Sequence, residues 1–379
     1  MRVLAHALTP GDHYSPRTGS AIPTVVHGIA EASSGDPRWR HAVVVDRTTF
    51  HPRYAAGSVW ECEPSSPPSR AGALLDYCRA ALGGRRLAED AWWDGVARRA
   101  ARGAPAIVLA HGNPSLAAHP ALVDTPVIVH LHNALPRSMS RTEAERAVSP
   151  AAAIICVSQS LASATASRLP KALRSRIHAV AHGVDTGAFH PRDGEVGSTV
   201  RIMFIGRAVP HKGVHVLLAA AQALTGLPAE LVIVGSHGFS ANDPVTRYQR
   251  RLARLARQSP IPVEFMPFVD RSALPDLLRT ADVLVVPSTW SEPSGLAAGE
   301  GLATGIPVVA SHTGGLPEVV GDAGILVPPA DAEPLAAALR TLVADAAMRA
   351  ELGAAARKRA LAHTWAHSWT DLRAVIDSC

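Results

Sequence analysis

The sequence predicts an α/β protein of two doubly wound domains, each a parallel sheet with helices on both faces. Short apolar runs alternate with longer Ala-, Leu- and Arg-rich segments of helical period, which is the pattern of repeated βα units. The short runs are apolar at almost every position, as expected for parallel strands that are covered on both faces. At 379 residues, the chain is also longer than a single hydrophobic core usually requires.

The first half of the chain is predicted to contain six strands and at least two helices. The segments "RAGALLDYCRAALGG" (70–84) and "LAEDAWWDGVARRAARG" (87–103) have the helical pattern. Strands are predicted at 2–8, 41–46, 106–112, 126–133, 152–158 and 177–183. We therefore expect a first Rossmann-like domain over residues 1–190.

A polar stretch containing Gly and Pro, "DTGAFHPRDGEVGSTV" (185–200), is predicted to link the two domains. The βα pattern then restarts, which predicts a second domain over 198–360. Residues 349–379 are predicted to be helical, and the helix over 360–379 is expected to cross back to the first domain. Strands of the second half are predicted at 200–206, 229–235, 263–268, 281–288, 306–311 and 324–329. Ligands of such sheets bind in a cleft at the carboxyl ends of the strands.

Composition indicates a globular protein, because apolar residues make up 47% and charged residues 18% of the chain. The net charge of +5 is interpreted as Arg-rich usage on a solvated surface, and no nucleic-acid partner is predicted. The four cysteines have no CxxC spacing, so neither a zinc site nor a disulfide framework is indicated. The apolar run near Met1 is too short for a signal peptide, and no run is long enough to span a membrane. A reducing, cytoplasmic location is expected.

Two acids in "STWSEPSGLAAGEGLATG" (288–305) are the first candidates for binding. Glu292 and Glu300 are separated by seven residues, and Pro293 is predicted to open a short helix between them. The backbone amides of Ser294, Gly295 and Leu296 would then form an anion site at the start of this helix. The alternative is that one acid complements the helix dipole and the other is exposed.

Two further loops support a binding site. In "FIGRAVPHKGV" (204–214), a strand ends at Gly206, and Arg207 and Lys212 follow in a loop before a helix, which suits a diphosphate. In "SHTGGLPE" (311–318), paired glycines allow backbone amides to turn toward an anion. Glu318 is interpreted as an acid at the start of a helix.

These motifs, in this order and spacing, resemble the retaining GT-B-fold glycosyltransferases of family 4. The resemblance covers nearly all of residues 150–370, including "HGVDTGAFHP" (182–191) and "GILVPPAD" (324–331). In the first half, "SPRTGSAIPTVV" (15–26) looks like the family's Gly-containing loop, and "VIVHLHN" (127–133) looks like the strand that ends in an active-site histidine. The resemblance implies a GT-B fold and transfer of a sugar from a nucleotide-diphosphate sugar.

The resemblance implies these donor-binding roles. Glu292 would bind hydroxyls of the sugar, and Glu300 would hold the ribose hydroxyls of the nucleotide. Arg207 and Lys212 would neutralise the diphosphate as it leaves, next to Gly206. The amides of Gly295 and Leu296, with the neighbouring Ser294, would support the sugar and the β-phosphate.

In the first half, the resemblance implies that Gly19 approaches the diphosphate and that His132 lies beside the reacting sugar. His130 is the alternative for this histidine, because strand alternation places both on one face. A histidine on a strand is usually a structural core residue, so His132 alone is assigned. His111 and Asn113 are weaker candidates for lining the acceptor side.

The chain departs from the family pattern at several positions near these residues. Ser294 stands where an aromatic residue is usual, and Gly299 where a large apolar one is usual. Pro267 replaces a common glycine, and the first-half loop has Gly19 followed by Ser20 in place of paired glycines. The charged residues are intact, so these changes bear on which donor is used.

The implied reaction is a metal-independent, retaining transfer, in which protein cations stabilise the leaving UDP or GDP. No Asp-x-Asp motif is present, and neither a metal nor a cofactor is predicted. Two alternatives remain open at this point. One is an enzyme of the same fold that hydrolyses or epimerises the nucleotide sugar, and the other is a sugar-nucleotide-binding protein without catalysis.

The acceptor is a hydroxyl compound that the sequence does not identify. Ala- and Arg-rich usage suggests a high-GC bacterium, where relatives glycosylate cell-envelope glycans and lipids or antibiotic precursors such as aminocyclitols. The segment 83–103, with Trp92 and Trp93, has the composition of a helix that lies on a membrane. We favour the interpretation that its tryptophans pack on the sheet.

Overall fold

The computed structural model describes residues 1–194 and 197–379, and the chain folds as two compact units. Unit 1 comprises Met1–His182 and Trp365–Cys379, and unit 2 comprises Gly183–Thr364. The chain therefore returns to unit 1 with the helical segment for which the sequence predicted such a crossing.

Unit 1 contains a seven-stranded sheet in which every pair of neighbours is parallel. Its strands are β1 (Arg2–Ala7), β2 (Trp39–Asp46), β3 (Ser58–Cys62), β4 (Ile107–His111), β5 (Val127–Leu131), β6 (Ala153–Cys156) and β7 (Ile177–Ala179). The spatial order β3-β2-β1-β4-β5-β6-β7 reverses direction at β1, as in doubly wound folds.

The helices of unit 1 cover this sheet. They are α1 (Ala21–Ala32), α2 (Arg70–Ala81), α3 (Leu87–Arg102), α4 (Arg141–Val148), α5 (Gln159–Arg168) and, from the end of the chain, α13 (Trp365–Asp377). Trp93 on α3 is 3% exposed and belongs to the core between α3 and the sheet, with Trp92 packed against that core. This location confirms the structural interpretation of the paired tryptophans.

Unit 2 contains a six-stranded parallel sheet of order β10-β9-β8-β11-β12-β13. Its strands are β8 (Val200–Ile205), β9 (Ala229–Val234), β10 (Val263–Met266), β11 (Val283–Val286), β12 (Val308–Ser311) and β13 (Ile325–Val327). Its helices are α6 (Val214–Ala220), α7 (Arg247–Ala256), α8 (Leu274–Arg279), α9 (Leu296–Ala303), α10 (Leu316–Val320), α11 (Ala332–Ala344) and α12 (Ala346–Leu361). The predicted α/β class with two doubly wound sheets is confirmed.

The segment after His182 packs with unit 2, although the first domain was predicted to extend to residue 190. Val184 and Phe189 are buried in a core of unit 2, where apolar burial outweighs the polar character of the neighbouring residues. The Arg357 guanidinium also donates hydrogen bonds to the carbonyls of Thr186 and Phe189. The predicted linker 185–200 thus begins with packed residues, and its residues 195 and 196 lie outside the described part of the chain.

All twelve predicted strands are found, and one observed strand was missed. β3 is an edge strand, and its side chains are exposed or half-buried, so it lacks the continuous apolar run on which the predictions depended. None of the helices in the described residues combines the length and the apolarity that crossing a membrane requires.

Candidate functional site

Most of the predicted donor-binding residues lie at the carboxyl ends of β8 and β11 in unit 2. The strand order reverses between these two strands, which is where open α/β sheets bind ligands. The loop after β8 carries Arg207 and Lys212, and the loop after β11 carries Glu292. The topology therefore brings together three charged residues that are up to 85 positions apart in the sequence.

The two loops approach each other closely at Gly213. This glycine has φ +77°, and a Cβ added to it would lie 1.7 Å from the carbonyl oxygen of Pro287. Next to this contact, the amide of Thr289 donates a hydrogen bond of 2.9 Å to the carbonyl of His211. Glycine is required here both for the left-handed backbone and for the close approach.

Lys212 and Glu292 form a partly buried ion pair between these loops. The Lys212 Nζ atom lies 2.7 Å from Oε1 and 2.9 Å from Oε2 of Glu292. Oε2 also accepts hydrogen bonds from the Ser288 hydroxyl at 2.8 Å and from Nε1 of Trp290 at 3.0 Å. The Glu292 residue is only 8% exposed, so its carboxylate is held in one orientation by three different donors.

The protonation of Glu292 reflects these contacts. Burial raises the pKa of its carboxyl, but the Lys212 ammonium and the hydrogen bonds from Ser288 and Trp290 outweigh this effect and hold the pKa below its ordinary value. Glu292 is therefore ionised at neutral pH. An ionised carboxylate accepts hydrogen bonds, which suits the recognition of sugar hydroxyls.

The paired glycines after β12 contact the backbone of Glu292. Gly314 has φ +59°, and a Cβ on it would lie 2.0 Å from the Glu292 carbonyl oxygen. The amide of Gly315 donates a 2.7 Å hydrogen bond to that same carbonyl. The sequence predicted that these glycines turn their amides toward a ligand, but the Gly315 amide is already used within the protein. Glu318 lies in the first turn of α10, as predicted.

The helix between the two acids begins at Leu296, three residues later than predicted. Gly295 occupies the N-cap of α9, and Pro293 and Ser294 precede the helix in a loop that bends at Pro293. The unpaired amides at the helix start are therefore those from Leu296 onward. Of the predicted anion-binding amides, Leu296 is on the helix, Gly295 is its cap, and Ser294 is 8% exposed in the loop.

Glu300 lies in the middle of α9 and has a cationic partner that the sequence did not indicate. It is 3% exposed, and its Oε1 atom is 2.7 Å from Nη1 of Arg271. Among the described residues, Oε1 has no hydrogen-bond partner. The pair is thus an ion pair whose carboxylate keeps capacity to accept hydrogen bonds from hydroxyl groups.

Arg207 and His211 are the other basic residues of the loop that carries Lys212. The Arg207 guanidinium lies over the ring of Phe239, 5.5 Å from its centroid, and within the described residues it makes no ion pair. The ring of His211 packs edge-on against Trp290. Burial, together with the nearby Lys212 and Arg207, lowers the pKa of His211 despite the opposing effect of Glu292. Arg207 and Lys212 are therefore the cations of this loop at neutral pH, and His211 is neutral.

Gly19 lies exposed in the loop between β1 and α1 of unit 1, next to the N-cap Ser20. An acid that the sequence did not indicate belongs to the same loop. Burial raises the pKa of Asp12 to about 6, and a hydrogen bond with Ser20 partly opposes this effect. Asp12 therefore titrates near neutrality beside the predicted diphosphate-binding glycine.

We expect Asp12→Asn to stabilise unit 1 above pH 6. Because the folded-state pKa is raised, the folded protein retains a proton that the unfolded chain releases, so wild-type stability falls as pH rises from about 4 to about 6. The variant does not lose stability in this range. At pH 7.5 its free energy of unfolding should exceed that of the wild type by about 1–3 kcal/mol. Urea unfolding of both proteins at pH 4 and pH 7.5 measures this difference in the free energy of unfolding. The exposed acid Asp124 of unit 1 serves as the control, and an equal effect of Asp124→Asn would contradict the prediction.

Six histidines, His6, His41, His111, His130, His132 and His182, form a cluster on one face of the unit 1 sheet, which we call the histidine row. Three contacts join Nδ1 of one ring to Nε2 of the next: His41 to His6 at 2.8 Å, His6 to His111 at 2.9 Å and His111 to His132 at 2.9 Å. His111 and His130 are register partners on β4 and β5, and His132 is two residues further on the same face. The sheet thus aligns residues that are distant in the sequence.

Burial keeps the histidine row uncharged. It lowers the pKa of His41 to about 4 and those of His130 and His182 to about 3, and it lowers the pKa values of His6, His111 and His132 well below the ordinary range. The proximity of the rings adds to this effect. All six imidazoles are neutral at pH 7.

Of the predicted first-half residues, His132 and His111 belong to the histidine row, with exposures of 7% and 0%. Asn113 has a different position. Its side-chain oxygen accepts a 2.8 Å hydrogen bond from the Ser115 amide and caps the turn Pro114–Ala118. Asn113 therefore stabilises a local turn, and its role on the acceptor side stays a prediction.

The acids and cations of unit 2 that the sequence singled out stand in local motifs, and the residues that contact them through the tertiary fold carry no such motif. Arg271, His211, Asp12, His6 and His41 were missed. The sequence did contain one signal for His6 and His41, because both interrupt apolar strands. A histidine at an inward position of a buried strand needs a polar partner, so these two residues could have been predicted to contact other polar side chains.

Two family models match the chain. The model described as "Glycosyl transferases group 1" matches residues 188–359, and the model described as "Glycosyltransferase Family 4" matches residues 59–188. The two matches are adjacent and together cover most of the chain.

Similar curated proteins include two bacterial relatives. Spore coat protein SA of Bacillus subtilis (strain 168) is 32% identical over 218 residues, covering 52% of this chain and 56% of that protein. D-inositol 3-phosphate glycosyltransferase of Jonesia denitrificans is 34% identical over 225 residues, covering 53% of this chain and 51% of that protein. The chain thus spans about half the length of the curated relatives it matches.

Among solved structures, the chain resembles Anabaena HepE in complex with UDP and glucose, with a TM-score of 0.74 over 100% of both chains. The sequence identity is 19%, so this likeness concerns the fold. It confirms the GT-B fold that the sequence resemblance implied.

Proposed function

Because the chain belongs to the group 1 glycosyl transferases of family 4, we propose that it transfers a sugar from a nucleoside-diphosphate sugar to an acceptor hydroxyl. The observation that carries this proposal is the partly buried Lys212–Glu292 pair at the strand ends of unit 2. It places an ammonium and an oriented carboxylate next to Arg207 and the start of α9. Such an arrangement can bind a sugar and a diphosphate side by side.

The proposed roles follow from the charge and orientation of each group. Arg207 and Lys212 stabilise the negative charge that grows on the diphosphate as the glycosidic bond breaks. Glu292, ionised and held by Ser288 and Trp290, accepts hydrogen bonds from sugar hydroxyls. Glu300 accepts hydrogen bonds from the ribose, because its Oε1 atom retains that capacity.

The donor is proposed to be a UDP-sugar, with a GDP-sugar as the alternative. The UDP found in the HepE complex supports this choice. We propose that the reaction retains the anomeric configuration and that the leaving phosphate accepts the proton of the acceptor. No metal bridges the diphosphate in this proposal, since Arg207 and Lys212 supply the positive charge. The unpaired cysteines support a reducing, cytoplasmic setting.

The acceptor is proposed to be a small polyhydroxylated compound, such as an aminocyclitol antibiotic precursor, rather than a cell-envelope glycan or lipid. The similarity to D-inositol 3-phosphate glycosyltransferases supports a cyclitol as the favoured acceptor class. The predicted departures at Ser294 and Gly299 lie next to Glu292 and on α9, so they are the positions at which we expect donor preference to be set.

The direct test is incubation of the purified chain with UDP-glucose, UDP-galactose, UDP-N-acetylglucosamine or GDP-mannose, with and without acceptors. The acceptor panel contains inositol, inositol phosphate, aminocyclitols and a lipid acceptor, and mass spectrometry detects the glycoside and the released nucleotide. We expect a glycoside with one acceptor class, and NMR of the product should show retained configuration. Nucleotide release that is independent of every acceptor would instead indicate a hydrolase. Interconversion of the donor sugar would indicate an epimerase.

We expect Glu300→Ala to weaken UDP binding by about 10- to 100-fold, because a buried carboxylate that accepts hydrogen bonds from hydroxyls is worth about 1.5–3 kcal/mol. The effect should be absent for 2′,3′-dideoxy-UDP, which lacks the hydroxyls that Glu300 is proposed to bind. Calorimetric titration measures both ligands. Glu333→Ala, which removes an exposed acid in the first turn of α11, should leave both affinities unchanged. Equal losses for UDP and the dideoxy analogue would contradict the ribose assignment.

A further inference from the structure

Three members of the histidine row stand close enough to share one ligand. His111, His130 and His132 each present a ring nitrogen, and these three nitrogens all lie within 4.8 Å of one another. They come from the ends of the adjacent strands β4 and β5, so the sheet fixes their separation. A tetrahedral zinc site has nitrogen ligands about 3.3 Å apart, given Zn–N bonds of about 2.0–2.1 Å. The separations in the structure thus exceed those of a shared ion by about 1.5 Å at most.

The hydrogen-bond state of these rings also indicates a ligand. His130 is 1% exposed, and among the described residues neither of its ring nitrogens has a hydrogen-bond partner. The Nδ1 atom of His132 is likewise buried without a partner in that part of the chain. Each buried polar group without a partner costs about 1–3 kcal/mol, and such groups usually mark a missing ion or water. His130 and His132 are both members of the candidate group.

The chemistry of the donor set selects the class of ion. Neutral imidazoles bind zinc, copper, nickel and cobalt, whereas magnesium and calcium prefer carboxylate and carbonyl oxygens. In the described residues, the candidate group contains histidines alone and no acid.

We propose that His111, His130 and His132 form a binding site for a transition-metal dication such as Zn²⁺. His111 binds through Nδ1, so its present contact with Nε2 of His132 at 2.9 Å is replaced by the bond to the ion. The Nε2–H of His111 remains free to donate to Nδ1 of His6. The Nε2–H of His6 then donates to Nδ1 of His41. A metal-bound histidine commonly donates its second N–H to an acceptor in this way, which fixes the tautomer and the ring orientation. The head-to-tail contacts of 2.9 and 2.8 Å thus serve as the outer support of the site.

This site is built from residues of unit 1, whereas Lys212 and Glu292 belong to unit 2. It revises the sequence prediction that the chain holds no metal, without changing the proposal that the diphosphate is neutralised by protein cations. The inference does not rest on glycosyl transfer, and its test needs no measurement of activity.

The test is binding of Co²⁺ and Zn²⁺ to chelator-treated, folded protein. We expect one equivalent of Co²⁺ to produce the visible absorption bands of a tetrahedral nitrogen site and one equivalent of Zn²⁺ to remove them. His130→Gln should weaken this binding at least tenfold, with folding checked by circular dichroism. The exposed His237 of unit 2 provides the matched control, and His237→Gln should bind as the wild type does.

Two results would overturn the proposal: the absence of a stoichiometric site in the wild type, or equal affinity of a folded His130→Gln variant. X-ray absorption of the wild-type zinc complex gives an independent answer if the variant does not fold. Three imidazole ligands support the site, and fewer than three contradict it.

Discussion

Replacement of Lys212 by alanine is expected to lower kcat/KM for sugar transfer by at least 100-fold. The ammonium is proposed to stabilise charge that develops on the leaving diphosphate, and removal of one such preorganised donor typically costs 10²–10³ in rate. Because this charge is larger in the transition state than in the bound donor, kcat should fall more than KM rises. Steady-state kinetics with the UDP-sugar identified in the donor screen measures both constants.

The same substitution should also destabilise unit 2, and this effect has to be separated from the loss of activity. Without Lys212, the Glu292 carboxylate stays buried with hydrogen bonds from Ser288 and Trp290 but without its cation. Breaking a fully buried pair by removing one partner costs about 3–5 kcal/mol. Because the Lys212 side chain is 23% exposed, we expect a loss at or below the lower end of this range. The double variant Lys212→Ala/Glu292→Gln removes the unpaired charge, so it should regain stability while transfer stays low.

Lys358→Ala is the matched control for the Lys212 substitution, since Lys358 is an exposed lysine of the same unit at the end of α12. Its kinetic constants should equal those of the wild type. A folded Lys212→Ala variant with kcat/KM within threefold of the wild type would show that the assigned site is wrong.

The sequence was sufficient for the sheets because each buried parallel strand carries its own signal. Twelve apolar runs identified twelve strands, and β3 escaped because an edge strand has exposed side chains. The start of α9 was misplaced for a similar local reason. Proline is favoured at a first helical position, but here Pro293 and Ser294 lie in the loop before the helix, and Gly295 is the cap.

The charged residues of unit 2 were predictable where a local motif carries them, and their pairing was not. Spacing suggested that Glu292 and Lys212 serve the same ligand, but it did not show that they contact each other across two loops. Arg271 has no motif at all, since its partner Glu300 is reached only through the fold. The histidine row shows the same limit, because His6 and His111 meet only when β1 pairs with β4.

Replacement of Gly213 by alanine is expected to destabilise unit 2 by at least about 3 kcal/mol. A left-handed backbone costs a residue with a Cβ about 1–2 kcal/mol. In addition, the new Cβ would lie 1.7 Å from the Pro287 carbonyl oxygen, so one of the two loops must move. Since a loss of 1 kcal/mol lowers Tm by about 2–4 °C in a unit of this size, the melting transition of unit 2 should fall by about 6 °C or more.

Gly226 separates the two contributions to this loss. It also has φ +77°, but a Cβ added to it would meet nothing within 4 Å. Gly226→Ala therefore carries the backbone cost alone, and urea unfolding should show a loss of about 1–2 kcal/mol. Equal losses for the two variants would show that the loop carrying Pro287 moves away from the added Cβ without a measurable loss of stability. A larger loss for Gly213→Ala, accompanied by weaker UDP binding, would show that the close approach of the two loops sets the positions of Lys212 and Glu292.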